Sequence, residues 1–348
     1  MATPFFRAIV AKMGTGNQIE KPLADWAAAH FGAGARLVAL KRLSGGASQE
    51  TWAFDVEAGG TSIPLILRRA PGGAAAPRAS EAVTLATEAV LLAATGKAGV
   101  RVPEVLHVSP PGSELGEAFV MRRVSGETLG RKILRDEEFQ LARTRLTKDC
   151  GEALARIHAV PAAGFETLPR SLGADQIAKY EAVYHSFNLP RPVLELAFAW
   201  LKAHAPEPAT PVLVHGDFRL GNLIVDQNGL SAVLDWELAH IGDPREDIAW
   251  LCVNSWRFGH TEKRVGGFGD LSELLDAYAA AGGQRFTPAE IDWWEIMGSL
   301  KWGVMCMTMY GAYKTGADPS VERAAIGRRV SENEIDLINL FEGLGRHA

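Results

Sequence analysis

Apolar positions recur along this chain with two different periods. From Ile19 to Phe31 the spacing of Leu23, Trp26, Ala27 and His30 predicts a helix, ended by Gly32. Short runs then follow. Leu37-Val38-Ala39-Leu40 and the stretch Leu43 to Val56 read as two strands around a small-residue turn, and Leu65-Ile66-Leu67-Arg68-Arg69 reads as a third. Pro103 to Val108 and Ala118 to Met121 supply two more. Between the third and fourth lies the flexible loop Gly72 to Pro77 and then a stripe of Val83, Ala86, Val90 and Leu91, which predicts a helix over about Glu81 to Thr95.

From Glu127 onward the pattern turns helical. Phe139 to Ala159 carries Leu146, Cys150, Leu154 and Ile157 at three- and four-residue steps. Leu168 to Ala205 reads as two helices interrupted at Pro190-Arg191-Pro192. Asp243-Pro244 reads as a helix start, with Asp243 as N-cap. The last helices are expected at Asp270 to Ala281, Thr287 to Tyr310 and Pro319 to Leu344. The longest apolar stretch, Ile296 to Tyr313, contains Lys301 and several glycines, which suits a buried helix better than a membrane span.

Composition narrows the class. The 348 residues suffice for one large or two modest units, with 47% hydrophobic and 22% charged residues, an ordinary balance for packed domains. A formal net charge of −5 argues against a nucleic-acid binder driven by phosphate neutralisation. Cys150, Cys252 and Cys306 lie far apart in apolar surroundings and read as reduced core residues. Arg7 and Lys12 interrupt the apolar start, and no small-residue cleavage site follows. The expectation is a cytoplasmic monomer or homodimer with neither nucleic-acid nor membrane partner.

One stretch carries the chemistry. Val212 to Val225 sets two β-branched runs around a polar loop bearing His215, Asp217, Arg219 and Asn222, and Ala232-Val233-Leu234 then delivers Asp235. A base-like Asp, an Asn five residues later and a separate strand-end Asp are the parts phosphoryl transfer uses: one accepts a hydroxyl proton and two hold a metal. A polar hairpin with a capping Asp and a turn Asn would explain any one of these residues. It does not explain the set, followed as it is by Gly242-Asp243-Pro244 and Asp247.

The wording His-Gly-Asp-Phe-Arg-Leu-Gly-Asn-Leu, then Leu-Asp-Trp-Glu, then Gly-Asp-Pro-Arg-Glu-Asp-Ile-Ala-Trp-Leu resembles the aminoglycoside phosphotransferase and choline kinase-like family. It looks most like the branch of kinase-like domains fused to some acyl-CoA dehydrogenases. The resemblance runs from Leu43 nearly to the end. It implies an α+β, bilobal protein kinase-like fold: a five-stranded antiparallel β lobe with a helix (residues 1–122), then a larger, mainly helical lobe (123–348), with ATP between them. It further implies Asp217 as catalytic base, and Asn222 and Asp235 as ligands of Mg²⁺. Arg68, where the family has a strand Lys, would hold the non-transferred phosphates and pair with Glu88, with Glu81 as the alternative in another register. Arg is not a neutral replacement for Lys, and two solvent-facing arginines remain the other reading of Arg68-Arg69. Gly45, Gly46 and Ser48 would let the backbone approach the phosphates, although an ordinary hairpin turn also fits them. Met121 would sit behind the adenine, or simply pack the core, with the carbonyl of Arg122 and the amide of Val124 at the base's edge. His158 reads as structural, and His215 and Asp247 as braces of the catalytic loop.

The acceptor is expected to be a hydroxyl on a small molecule, contacted by Trp256, Arg257 and His260 in the glycine-rich segment 254–269; a lid or surface loop is the alternative. Arg257, Lys263 and Arg264 against Glu262 and Asp270 favour a hydroxy acid or its thioester over a polycationic aminoglycoside. Two rivals stand beside this reading. A non-catalytic ATP-binding pseudokinase is favoured only by Arg68. A dinucleotide-dependent oxidoreductase lacks its strand-linked glycine fingerprint.

Overall fold

A computed structural model describes residues 19–43, 49–73 and 82–345. By chain contacts it forms two units: residues Met1–Ser125 with Trp236–Leu238, and the remainder.

The first unit opens with helix α1 (residues 19–31). Strands β1 (Arg36–Arg42), β2 (Glu50–Ala58) and β3 (Thr61–Arg69) come next, then helix α2 (Leu85–Lys97), β4 (Val105–Val108) and β5 (Ala118–Arg122). The sheet is antiparallel in the order β1-β2-β3-β5-β4. Gly59 and Gly60 join β2 to β3 with φ of 57° and 78°. A two-residue hairpin turn that follows the strand twist needs two positive φ values, so glycine is the residue for both places. The alternation on β2 puts Trp52, Phe54 and Val56 on one face, where they meet Leu65 and Leu67 of β3 and Ile19, Leu23 and Ala27 of α1. Burying each of the larger side chains is worth roughly 1.5–3 kcal/mol.

Helix α2 begins four residues later than the sequence pattern predicts. Thr84 caps it, accepting from the Thr87 amide at 3.1 Å. The buried residues are Leu85, Glu88, Ala89, Leu91, Leu92 and Thr95, so Leu91 of the expected stripe lies inside while Val90 is 55% exposed. The boundary between the units also falls after Ser125, not after 122. Arg123 explains the shift, because its amide donates to the Pro64 carbonyl at 3.0 Å and its guanidinium to Asp55 at 2.5 Å, tying it to the sheet.

The second unit contains helices α3 (Gly130–Arg135), α4 (Gln140–His158), α5 (Gly173–Ser186) and α6 (Pro192–Ala203). Strands β6 (Val212–Val214), β7 (Leu223–Asp226), β8 (Gly229–Val233) and β9 (His240–Gly242) follow. Helices α7 (Arg245–Cys252), α8 (Leu271–Ala280), α9 (Pro288–Thr315), α10 (Val321–Gly327) and α11 (Val330–Gly345) complete it. Strand β6 pairs with β9 and β7 with β8, so the polar loop after β6 is held between two short antiparallel ribbons. Helix α7 is assigned from Arg245, and the Asp243 carboxylate accepts the Arg245 amide at 3.0 Å.

Helix α9 starts with a capping box, Thr287 and Glu290 bonding each other's backbone amides, and ends at Gly316 with φ 78°. It runs five residues past the expected Tyr310. The stretch expected as one helix from Pro319 to Leu344 is two, with Ser320 capping α10 and a break at Arg328 and Arg329. Among the described residues no helix is long and apolar enough to cross a membrane. Cys150, Cys252 and Cys306 are buried and unbridged.

Candidate active site

The loop after β6 is fixed first by its own backbone. Gly216 takes φ 79°, turning the chain so that two consecutive amides face one carboxylate. Asp247, on α7, accepts the His215 amide at 2.7 Å and the Gly216 amide at 2.9 Å. Behind it, His158 Nε2 lies 3.2 Å from the Asp247 carboxylate, and His158 Nδ1 lies 2.8 Å from the Tyr278 hydroxyl. Asp247 is wholly buried. Burial works to raise its pKa, but the hydrogen bonds from His158 and from the His215 amide outweigh it and hold the carboxyl below the usual range.

His215 closes the other side. Its Nε2 lies 2.9 Å from the Leu234 carbonyl, so that nitrogen carries the hydrogen, and Nδ1 is left to accept the Asp217 amide at 3.2 Å. The Leu234 amide in turn donates to the Asn222 carbonyl at 2.8 Å. These bonds set Asp217, Asn222 and the approach to Asp235 in one fixed frame.

Three donors hold the Asp217 carboxylate. Oδ1 accepts from Trp250 Nε1 at 2.7 Å and Arg219 Nε at 3.0 Å, and Oδ2 accepts from Asn222 Nδ2 at 2.6 Å. The Asn222 amide nitrogen also donates to the Asp217 carbonyl at 2.9 Å, so the side-chain oxygen is the atom of Asn222 available to a ligand. The Arg219 guanidinium lies 4.5 Å from the Trp256 ring, and Trp256 packs on Trp250 and Trp302 at 5.4 and 4.8 Å. Lys301 of α9 reaches under the loop, with Nζ 3.4 Å from the Gly216 carbonyl, 3.1 Å from Glu246 and 4.6 Å from the Trp250 ring. Burial alone would lower the Lys301 pKa, but Tyr180 and Glu246 bring it above the usual value. Asp235 is half-buried and has φ 66°, a left-handed conformation that Asp tolerates better than most residues and that clusters at functional sites.

The first unit holds a polar cluster of its own. Arg68 Nη2 pairs with Glu88 at 3.3 Å, and Arg68 Nε donates to the Gln49 side-chain oxygen at 3.0 Å. Gln49 Nε2 donates onward to Glu237 at 3.4 Å, and the Glu237 carbonyl accepts the Val83 amide at 2.9 Å. Glu88 is 1% exposed, so it is no solvated helix acid. The neighbouring Arg69 is spent on structure, bonding Glu50 at 3.2 Å and the Leu115 carbonyl at 2.7 Å.

Other sequence-predicted residues are placed as follows. Met121 is buried opposite Ile66. The Arg122 amide donates to the Glu104 carbonyl at 2.9 Å, its side chain bonds the Glu104 carboxylate at 2.6 Å, and Val124 is half-buried. Gly45, Gly46, Ser48 and Glu81 lie outside the described residues. His260 is half-buried with Nδ1 3.8 Å from Glu262.

Arg257 is engaged internally. It bonds Glu295 at 2.6 Å and the carbonyls of Cys252 and Thr261. Arg264 bonds Glu295 and Asp292, and Lys263 bonds Asp270. The cations from which the acceptor's charge was inferred are thus neutralised by carboxylates within their own unit, and that inference has no footing in the structure. Gln49, Glu237, Trp250 and Lys301 are absent from the sequence-derived set. Glu237, inside the Leu-Asp-Trp-Glu wording, and Trp250, inside Gly-Asp-Pro-Arg-Glu-Asp-Ile-Ala-Trp-Leu, carried a local signal; Gln49 and Lys301 did not.

A family model described as the phosphotransferase enzyme family matches residues 39–294. Acyl-CoA dehydrogenase family member 11 of Gallus gallus is 27% identical over 330 residues, covering 86% of this chain and 40% of that protein. Among solved structures, a candidate aminoglycoside phosphotransferase of Ralstonia eutropha matches with TM-score 0.72 at 20% identity, covering 93% of this chain and 98% of that one. A thermostable mutant of the aminoglycoside phosphotransferase APH(4)-Ia, bound to AMP-PNP and hygromycin B, matches with TM-score 0.60 at 18% identity, covering 93% and 97%. At these identities the structural matches carry the fold, which is kinase-like: a five-stranded antiparallel sheet followed by a mainly helical part. The chain spans less than half the length of the acyl-CoA dehydrogenase family members 10 and 11 that it matches.

Proposed function

Because the chain belongs to the phosphotransferase enzyme family, we propose that it transfers the γ-phosphoryl of ATP to a hydroxyl of a small molecule, with Asp217 as the catalytic base. The observation that carries this reading is the Asp217 carboxylate, aimed by Trp250, Arg219 and Asn222 from a loop whose amides Asp247 clamps. In the reaction the acceptor oxygen bonds to the γ-phosphorus as the bond from that phosphorus to the bridging oxygen breaks, ADP leaves, and the hydroxyl proton passes to Asp217. Little covalent work falls to the protein. Positioning and charge neutralisation do most of it.

The donor set fits Mg²⁺. The Asn222 side-chain oxygen and the Asp235 carboxylate are hard oxygen ligands, and among the described residues no cluster of three or more His, Cys, Asp or Glu could hold a metal. Magnesium is commonly held by one or two protein oxygens together with substrate phosphates and water. When bound it supplies charge neutralisation at the phosphates. Arg68, oriented by Glu88 and Gln49, would hold the non-transferred phosphates together with the backbone of Gly45, Gly46 and Ser48, and Met121, Arg122 and Val124 would meet the adenine. His215 and Asp247 brace the loop. Trp256 supports Arg219, while His260 stays a candidate contact on the acceptor side.

For the acceptor we favour a hydroxy acid or its thioester over an aminoglycoside. The support is the name of the matched relatives, which joins this kind of chain to acyl-CoA dehydrogenases. The test is incubation with Mg²⁺ and ATP against a pool of hydroxy acids, their thioesters and aminoglycosides, read by mass spectrometry for products gaining one phosphoryl group. A phosphorylated hydroxyacyl compound is expected; a phosphorylated aminoglycoside alone would overturn the preference. Arg68 in the usual place of a Lys is the one feature that favours a non-catalytic ATP binder instead.

A further inference from the structure

A cavity of about 730 Å³ opens in the second unit between α3, the segment 254–259, α10 and α11. That volume is in the range of small-molecule sites. Its charged side chains are Arg131, Arg329, Glu332 and Asp336, two of each sign. Arg329 Nε bonds Glu332 at 3.0 Å, so this pair is self-satisfied. Asp336 is engaged inside the wall, accepting from Asn254 Nδ2 at 2.7 Å, and burial pushes its carboxyl above the usual range. Arg131, on α3, is exposed at the cavity and has no side-chain partner among the described residues. One unmatched guanidinium is left.

The rest of the wall is mixed. Phe258 and Ile335 present apolar surface, and Ile335 is 60% exposed. Under the floor, the Ser255 hydroxyl and the Asn254 side-chain oxygen are buried with no hydrogen-bond partner. Leaving such groups unpaired is costly. Packed side chains, and not open space, run from the cavity wall to the loop of Asp217. Arg329 lies over Trp302 at 5.9 Å, Trp302 packs on Trp256, and Trp256 carries Arg219, which bonds Asp217.

We propose that this cavity binds a small molecule carrying an apolar chain and a carboxylate, with the carboxylate on Arg131 and the chain against Phe258 and Ile335. Arginine's planar fork matches a carboxylate with two parallel hydrogen bonds, which an alcohol cannot reproduce and an amine would oppose.

The experiment is isothermal titration with octanoate, 1-octanol and octylamine, without nucleotide. It uses wild type, Arg131→Ala, Ile335→Ser and Asp217→Asn, all but the last altered at exposed cavity positions. Octanoate is expected to bind wild type and Asp217→Asn alike, and to bind Arg131→Ala at least about tenfold more weakly. It should bind Ile335→Ser several-fold more weakly, and the alcohol and amine should bind wild type more weakly than octanoate. Absence of saturable octanoate binding, equal binding of the three probes, or an unchanged Arg131→Ala overturns the proposal. Since no step here depends on phosphoryl transfer, an inactive enzyme that still discriminates octanoate would sink the catalytic reading and leave the site standing.

Discussion

Arg68 uses two edges of its guanidinium, Nη2 toward Glu88 and Nε toward Gln49, and Gln49 carries the link on to Glu237. A lysine at this place would keep a point charge for Glu88 but could not span both partners in one plane. In Arg68→Lys the KM for ATP is expected to rise about threefold to tenfold, a cost on the order of 1 kcal/mol, with a smaller change in kcat. Gln49→Ala should do much the same, and in the Arg68→Lys background it should add almost nothing, because both changes break one link. Steady-state kinetics on the four proteins measure this; additive effects would show that Gln49 and Arg68 act separately. The residues of this cluster differ in how they could be read from the chain. Arg68 and Glu88 stand in recognisable places on a strand and a helix. Gln49 and Glu237 are 188 positions apart and meet only through the fold. Trp250 likewise reads as one more apolar position of α7 until its indole N–H is seen to point at Asp217.

At the level of elements, close approach of helices builds the frame behind the loop. Gly151 of α4 faces α8, where an added Cβ would meet the Ala277 Cβ at 2.8 Å and the Leu274 carbonyl and Tyr278 amide at 2.9 Å. Two of those atoms are backbone and cannot turn aside. Gly151→Ala is therefore expected to destabilise by about 1–3 kcal/mol of overpacking, partly offset by roughly 1 kcal/mol of helix propensity. Urea unfolding would measure it, and a stabilised variant would contradict the close packing. The same packing carries His158 and Tyr278 to Asp247. Most helices and strands were legible because their apolar periods were strong. The errors sit where a single capping or pairing event decides. Thr84 moved the start of α2, Gly316 rather than Tyr310 ended α9, and Ser320 with the break at Arg328 divided the last helix. In α2 half of the apolar stripe misled, Ala86 and Val90 facing out while Val83 and Leu91 are buried, because the inner face includes Glu88, a charge that belongs inside only in the company of Arg68.

For the molecule as a whole, two buried carboxylates govern the response to acid. Glu246 bonds Lys301, His240 and Gln176, and their charge and hydrogen bonds outweigh burial to hold it far below its usual 4.5. Asp247 is held below its usual 3.8 by His158 and His215. In both, the folded pKa lies under the unfolded one, so the unfolded chain takes up protons first as pH falls. Their stabilisation is complete above about pH 5 and is lost progressively below about pH 4. Glu295 runs the other way: burial raises its pKa despite Arg264 and Arg257, so it gives up a little stability as pH rises past its ordinary 4.5. Asp247→Asn should flatten the acid limb of a denaturation series and, by loosening two loop amides, lower kcat. An unchanged acid limb would mean that Asp247 does not carry this linkage.

The central claim, that Asp217 serves phosphoryl transfer, is tested most directly by following the γ-phosphoryl of ATP into the organic product with wild type and Asp217→Asn side by side, and measuring ATP binding on both. Wild type is expected to form product, and Asp217→Asn to form it some 10²–10⁴-fold more slowly while binding ATP with similar affinity. Equal rates from the two proteins, or ATP binding by neither, would contradict the account.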